Sequence, residues 1–471
     1  MSAVIVLDVG KTVSKLSLWS PDGDILARET RANERVSSNG RATLDVDGIS
    51  EWLIFTLKKF APLAEVAHII PVAHGAGLVV VKSGRHVIPP FDYEVPIPDD
   101  VRRGYAAERD PFEITGSPFL ADGLNAGAQL YWAVQENDAV LDHATIMPWA
   151  QYWAWFLSGE MRSEGTSLGC HTDLWAPMER DFSPMAKRLG WAQRFAPVAF
   201  AGEPIGQLRG DLAHRTGLSS NAVIHCGLHD SNAALVAAMG FPQFAEDEMS
   251  IVSTGTWFVT MRRPEKSADL PALSDERDCL VNVDAWNRPV PSARFMGGRE
   301  IERLVAPDAQ RVDRRQDQAR LMDAVPDVMR SGAQLMPCFA PGFGPYPTRS
   351  GHWISKPGTA DARGAAISLY AALMTNTCLD LVASTGPVLV EGRFAGAEVF
   401  VRGLASLRGD DQVFVSSAQN DVSFGALRLI YPDLEPQGVL ERVEPLPEDL
   451  GKYASGWESH LAEAEYDTEG R

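Results

Sequence analysis

The chain is poor in cysteine and has none in a metal-binding pair: Cys170, Cys226, Cys279, Cys338 and Cys378 are scattered, odd in number and never at C-x-x-C spacing. This argues against a zinc site and a disulfide framework, and for a reducing compartment. No apolar run approaches the ~18 residues of a membrane span. The apolar run ahead of Asp8 is too short and too weakly flanked for a signal peptide. A cytoplasmic location without a membrane partner is expected. Lysine and arginine form no cluster, and 62 acidic residues against 43 basic ones leave a net charge of −19. A nucleic-acid partner is therefore not expected, and an anionic substrate needs locally placed amides, cations or a metal.

What is present is the composition of a globular protein, 45% hydrophobic and 22% charged over 471 residues. That length exceeds the size at which single cores stop growing, so two domains are expected. The first distinctive stretch is "VIVLDVGKTVSKLSLW", Val4 to Trp19. Its Gly10-Lys11-Thr12 matches the end of a P-loop, but Ile5 stands where the opening glycine belongs. The residues after Thr12 alternate as in a strand, where a P-loop needs a helix. The stretch reads as strand, tight turn, strand, with Asp8, Gly10 and Thr12 at the bend.

Further along, "GISEWLIFTLKKFAPLA" (Gly48 to Ala64) has apolar residues at helical spacing, and "ATIMPWAQYWAWFLSGE" (Ala144 to Glu160) reads as a helix entered near Pro148 and stopped at Gly159. Its aromatic residues read as core. "AVIHCGLHDSNAALVAAMG" (Ala222 to Gly240) reads strand, turn, helix, with Asp230 at the turn. The polar segment Pro242 to Asp247 marks a domain boundary. Beyond it, "EMSIVSTGTWFVTMRR" (Glu248 to Arg263) echoes the opening stretch: an apolar strand, a small turn with glycine and threonine, and a second strand. The echo predicts two domains of similar plan, whose hairpins could donate amides and hydroxyls to one polyphosphate. "RGAAISLYAALMTNTCLDLVAS" reads as a long helix, and "NDVSFGALRLIY" as a helix with a close-packing Gly425. From Pro432 onward the chain is acidic and reads as a surface wrap.

Taken in order, these motifs resemble the FGGY carbohydrate kinases of the actin-like ATPase superfamily, nearest the rhamnulokinase, fuculokinase and xylulokinase branches. The residues that carry the resemblance are Asp8, Gly10, Lys11, Thr12 and Lys15 in the first hairpin, His74 in "VAHGAG", and "YWAWFLSGEMRSEGTSLGCHTDLW". They continue with Gly227, Asp230, Ala233, Ala234 and Gly240, then Ser253 to Trp257, and "LVEGRFAG". Lys11 stands where the family usually has a small hydroxyl residue, and Glu391 where many members have a glycine.

The resemblance implies an α/β fold of two actin-like (ribonuclease H-like) domains with an interdomain cleft. Residues 1–245 are expected to carry the sugar site, the catalytic aspartate and the first phosphate hairpin; 246–435 the nucleotide side; 436–471 an acidic tail. It implies ATP and Mg²⁺ as cofactors, a small sugar as substrate, and it allows a homodimer. In this reading Asp230 is the general base and Asp8 holds Mg²⁺. Gly10, Lys11, Thr12, Lys15, Thr254, Gly255 and Thr256 contact phosphates, while Gly297, Gly298 and Gly392 let the backbone approach the nucleotide. His74, Asn232, Asp92 and Gln129 contact the sugar. A ketopentose or 6-deoxyketohexose is the expected acceptor, since the arginine-glutamate pair typical of glycerol kinases is not visible beside "VAHGAG". Two other readings stand beside it. "GTSLG" at 165–169 fits G-x-S-x-G, the hydrolase nucleophile elbow, with Ser167 as nucleophile, and a protein of this kind could bind sugar or nucleotide without turnover.

Overall fold

The computed structural model describes residues 2–38, 40–244, 248–264, 273–305, 312–409, 411–416 and 421–469, with side chains to 463. The boundary expected at 245/246 lies outside the described residues. By contact the chain forms two compact units. One comprises Met1–Ala245, Val281–Val290 and Gln419–Gln437, the other Glu246–Leu280, Pro291–Ala418 and Gly438–Arg471.

The first unit is built from β1 (Ser2–Val9), β2 (Val13–Trp19), β3 (Ile25–Ala32), α1 (Val46–Phe60), β4 (Glu65–Ala73), α2 (Trp149–Ser158), β5 (Pro204–Gln207), β6 (Val223–His225), β7 (Leu228–His229) and α3 (Asp230–Ala238), with the helix Val422–Arg428. Its seven-stranded sheet runs β5-β6-β4-β1-β2-β3, and β7 also pairs with β4. β1 lies antiparallel to β2 and parallel to β4. Val4, Ile5, Val6 and Leu7 are all fully buried because helices cover both sheet faces. On one face Ile5, Leu7 and Val9 pack with Ile49, Leu53 and Leu57 of α1. On the other, Val4 and Val6 pack with Ala233, Val236 and Ala237 of α3 and with Phe424 and Leu427. The expected close approach of Gly425 is present: a Cβ there would fall 1.8 Å from the Ala233 carbonyl oxygen. Residues 145–148, expected at the entry of a helix, form a strand, and α2 begins after Pro148 and ends at Gly159, φ +83°. Trp149 and Trp153 of α2 are core residues.

The second unit contains β8 (Met249–Thr254), β9 (Phe258–Arg263), the start of β10 (Cys279–Val283) as far as Leu280, β11 (Pro289–Phe295) from Pro291 onward, α4 (Gly297–Val305), α5 (Ala360–Leu381), β12 (Val388–Gly392), α6 (Glu398–Arg408), β13 (Val413–Ser416), β14 (Leu440–Arg442) and α7 (Gly451–Glu469). The sheet order is β10-β11-β9-β8-β12-β13-β14. β8 repeats the placement of β1, antiparallel to the strand that follows it and parallel to β12 on its other side. The echo between the two glycine-threonine hairpins thus corresponds to equivalent sheet positions. The acidic tail does more than wrap the surface. Tyr453 and Trp457 of α7 are buried in the unit's core, and their OH and Nε1 donate to the carbonyls of Ala333 and Leu335 at 2.7 and 2.8 Å.

Candidate active site

Three side chains expected to carry chemistry leave the carboxyl ends of neighbouring parallel strands. Asp8 is the penultimate residue of β1, His74 follows β4, and Asp230 follows β7. In register, Asp8 and Val9 pair with Val72 and Ala73, and Leu228 and His229 pair with the same two residues. Carboxyl ends of parallel strands are where α/β sheets place ligands, because the backbone there turns away and leaves a crevice.

Asp230 is the first residue of α3 and does not act as a helix cap: the N-cap is His229, and no side-chain cap bond forms. Its Oδ1 accepts from the Ser231 amide at 2.6 Å and lies 3.1 Å from His229 Nε2. The side chain is 30% exposed. His74 Nδ1 lies 2.7 Å from the Gly75 carbonyl, so this nitrogen carries the hydrogen and donates it. Nε2 is then a bare lone pair, buried and without a protein partner. Burial holds the His74 pKa below the usual histidine value, the charge of Asp230 opposing it. A neutral ring with an open acceptor suits a hydroxyl donor. Its edge packs against Tyr93, 5.5 Å between centroids.

The other expected sugar contacts make bonds within the protein, with Asn232 Oδ1 left buried and without a partner. Asn232 is fully buried, with Nδ2 3.0 Å from His229 Nδ1. Gln129 Nε2 donates to the carbonyls of Ala76 and Gly123 at 2.7 and 2.5 Å. Asp92, with no exposed side-chain surface, takes Lys11 Nζ at 3.1 Å on Oδ1 and Arg35 Nε at 2.6 Å on Oδ2. Lys11 also reaches Glu94 at 2.6 Å and lies 4.2 Å above the Tyr93 ring. The lysine of the first turn therefore meets the segment 92–94.

Asp8 sits opposite Lys15 in the β1–β2 ladder, with Lys15 Nζ 3.4 Å from its Oδ2. Burial raises its pKa from 3.8 to about 7; Lys15 opposes the rise, and the charges of Asp230 and Asp421 add to it. Asp421 caps the helix Val422–Arg428 through Ser423 and takes Lys15 at 3.3 Å and Arg28 at 2.9 Å on its Oδ2. Asp421, Arg28, Tyr93 and His229 were not anticipated as site residues. An aspartate before a short amphipathic helix reads as a cap, and nothing local marks its free oxygen as a partner for Lys15, 406 residues earlier. Gly10 N–H closes the turn onto the Val13 carbonyl at 3.1 Å, and Thr12 is exposed. Among the described residues no three His, Cys, Asp or Glu side chains converge as a metal site. Asp8 fits the lesser demand of magnesium carried in by phosphates, for which one or two carboxylates suffice.

In the second unit the Thr254 hydroxyl donates to the Glu391 carbonyl at 2.5 Å and accepts from the Phe394 amide at 3.0 Å, tying β8 to the turn after β12. Gly392, φ +86°, has no room for a side chain: a Cβ would lie 2.3 Å from the Thr254 carbonyl oxygen. Gly298 at the start of α4 likewise lets the helix approach the Gly255 carbonyl, 2.0 Å from an added Cβ. Gly297 is packed against Phe258 and Phe295. Gly255 is half-buried and Thr256 exposed. A separate cavity of about 720 Å³ is lined by Asp313, Gln318, Arg402 and, at the end of the "LVEGRFAG" stretch, Ala395 and Gly396 among others, and by none of the residues expected to contact sugar, nucleotide or metal.

Ser167 lies inside the one-turn helix Gly165–Leu168, with Oγ donating to Glu164 Oε2 at 3.1 Å. Among the described residues no histidine is hydrogen-bonded to it. A nucleophile elbow needs an exposed serine with a base; this serine is 8% exposed, and its amide and hydroxyl both donate to Glu164, the cap of its turn.

The fold is that of the actin-like ATPases, two α/β units built on mixed sheets around a glycine-threonine hairpin each. A carbohydrate kinase from Novosphingobium aromaticivorans has the same structure, with TM-score 0.95 and 52% identity over 99% of this chain and 100% of that one. Residues 246–437 match the family model described as carbohydrate kinase FGGY, C-terminal domain. A xylulose kinase from Lactobacillus acidophilus shares the fold at 13% identity, TM-score 0.81, over 98% of this chain and 97% of that one. An L-fuculokinase from Haemophilus influenzae is 38% identical over 115 residues, 23% of this chain and 22% of that protein's length. The chain belongs to the FGGY carbohydrate kinases, phosphotransferases that use ATP and act on sugars. None of its five cysteines forms a disulfide, and no described helix is long and apolar enough to cross a membrane.

Proposed function

We propose that this kinase transfers the γ-phosphoryl group of ATP to a hydroxyl of a ketose, of the ketopentose or 6-deoxyketohexose kind represented by xylulose, rhamnulose and fuculose. The observation that carries the reading is the convergence of Asp8, His74 and Asp230, in which the charge of Asp230 acts on both of the other two. Residues 1–245 supply the acceptor side, 246–435 the nucleotide side, and 436–471 the tail. The local likeness to an L-fuculokinase favours the 6-deoxyketohexose.

In this mechanism the open Nε2 of His74 accepts a hydrogen bond from one sugar hydroxyl and so orients the ring. Asp230 takes the proton of the attacking hydroxyl. The new bond forms between that oxygen and the γ-phosphorus as the bond to the β–γ bridging oxygen breaks, and ADP leaves with the electron pair. The exposed hydroxyls of Thr12 and Thr256 bind phosphate oxygens, while the amides of Gly10 and Gly255 close their own turns onto Val13 and Trp257 and hold those hydroxyls in place. Lys15, between Asp8 and Asp421, supplies positive charge. Asp8 would hold Mg²⁺, which neutralises phosphate charge when bound.

The test is a coupled ADP-release assay across ketoses, polyols and aldonates. ADP release with one or a few ketoses is expected. Turnover restricted to polyols or aldonates would refute the substrate class, and ketose binding without ADP release would favour a non-catalytic binder.

A further inference from the structure

Behind Asp230 lies a buried pair that the mechanism above does not use. His229 is 6% exposed and Asn232 fully buried. The Asn232 amide lies 3.0 Å from His229 Nδ1, and the backbone N–H of His229 donates to Thr166 Oγ1 at 2.9 Å, which in turn donates to Glu164 at 2.7 Å. The residue is thus held at its backbone N–H and at the ring's near nitrogen, Nδ1. With Nδ1 accepting from the amide, Nε2 carries the hydrogen. Nε2 lies 3.1 Å from Asp230 Oδ1 and 3.3 Å from Cys170 Sγ. The opposite tautomer would set a lone pair against the carboxylate. Gly75 closes the back of the arrangement, since a Cβ there would fall 2.9 Å from Nε2.

The contacts on Asp230 are one-sided. Ser231 N–H at 2.6 Å, Ser231 Oγ at 3.3 Å and His229 Nε2 all address Oδ1. Oδ2 takes none of them. An oxygen already contacted by three donor groups has little room for a further hydrogen, and its geminal partner is left open to one.

We propose that His229, locked in its tautomer by Asn232, is a positioning residue for phosphoryl transfer: it fixes Oδ1 of Asp230 so that Oδ2 is the oxygen presented to the acceptor hydroxyl. This rests on Asp230 being the base. It makes Asn232 a residue that acts through His229 instead of touching sugar. Fixing a base in line with its proton is the kind of orientation on which catalytic rate depends steeply.

The experiment compares His229→Leu, His229→Gln and Asn232→Leu with the parent enzyme and Asp230→Asn, measuring kcat, sugar KM and thermal midpoint on the full chain with its best ketose. His229→Leu should lose about tenfold or more in kcat with sugar KM within about threefold. His229→Gln, whose amide can still donate to Oδ1, should recover most of that loss, and Asn232→Leu should lose kcat in the same direction by a smaller factor. Should His229→Leu fail to fold, His229→Gln and Asn232→Leu carry the comparison. Unchanged kcat in His229→Leu and Asn232→Leu overturns the proposal, as does a rise in sugar KM alone, or a glutamine variant no better than leucine. Activity surviving in Asp230→Asn overturns the base assignment itself, which is a different result.

Discussion

Lys11 Nζ lies 3.1 Å from Asp92 Oδ1, joining the first glycine turn to a carboxylate with no exposed side-chain surface. A buried carboxylate that loses one of its cations keeps the cost of its desolvation. Lys11→Met should therefore lower stability by about 1–3 kcal/mol, read as a drop in thermal midpoint, while KM for MgATP stays within about threefold. A tenfold rise in that KM at unchanged stability would instead assign the lysine to the nucleotide.

His74→Leu removes an open acceptor, Nε2, from the expected sugar contacts. Sugar KM should rise about tenfold or more, the effect of leaving a bound hydroxyl unpaired, with KM for MgATP little changed. A sugar KM equal to that of the parent would show that Nε2 meets no substrate.

Gly425→Ala forces a methyl group toward the Ala233 carbonyl, 1.8 Å away before any shift. The clash is with backbone, so the helix Val422–Arg428 and α3 must separate, at a cost of about 1–3 kcal/mol or more. Since α3 begins at Asp230, kcat should fall as well. A variant with the parent's thermal midpoint and rate would show that this approach is not needed.

That close packing was legible in the sequence, because a lone glycine in an apolar helical run signals a neighbour at short range. So were both hairpins, since alternation and turn residues are local properties, and the order of motifs from Asp8 to Asp230. Other features depended on residues brought together from afar. Asn232 and Asp92 are polar residues beside the site, but their bonds go to His229 and to Lys11 and Arg35. Residues Val281–Val290 and Gln419–Gln437 group with the first unit although the chain around them belongs to the second. Local pattern carries no record of such returns.

His68 Nδ1 lies 3.0 Å from His225 Nε2, and His225 Nδ1 lies 2.8 Å from the Gly202 carbonyl. The chain of donors runs from His68 to His225 to Gly202, so a proton added at His225 Nε2 would face another N–H. Burial keeps both pKa values below the ordinary histidine value. The unfolded state then binds more protons than the native state below about pH 6.5. This contribution to stability is present above that pH and is lost as the pH falls. The drop in thermal midpoint between about pH 7.5 and 5.5 should shrink in His68→Gln, which keeps a donor but does not titrate. Equal slopes for the two proteins would exclude the pair as a source of acid sensitivity.

The central claim is that Asp230 removes the acceptor proton. Its most direct test is the single-turnover rate of Asp230→Asn with MgATP and the preferred ketose, alongside calorimetric binding of that ketose. The account predicts a rate lower by about a hundredfold to ten-thousandfold, the usual share of a general base, with ketose affinity within about threefold. A rate within tenfold of the parent, with binding intact, would contradict it.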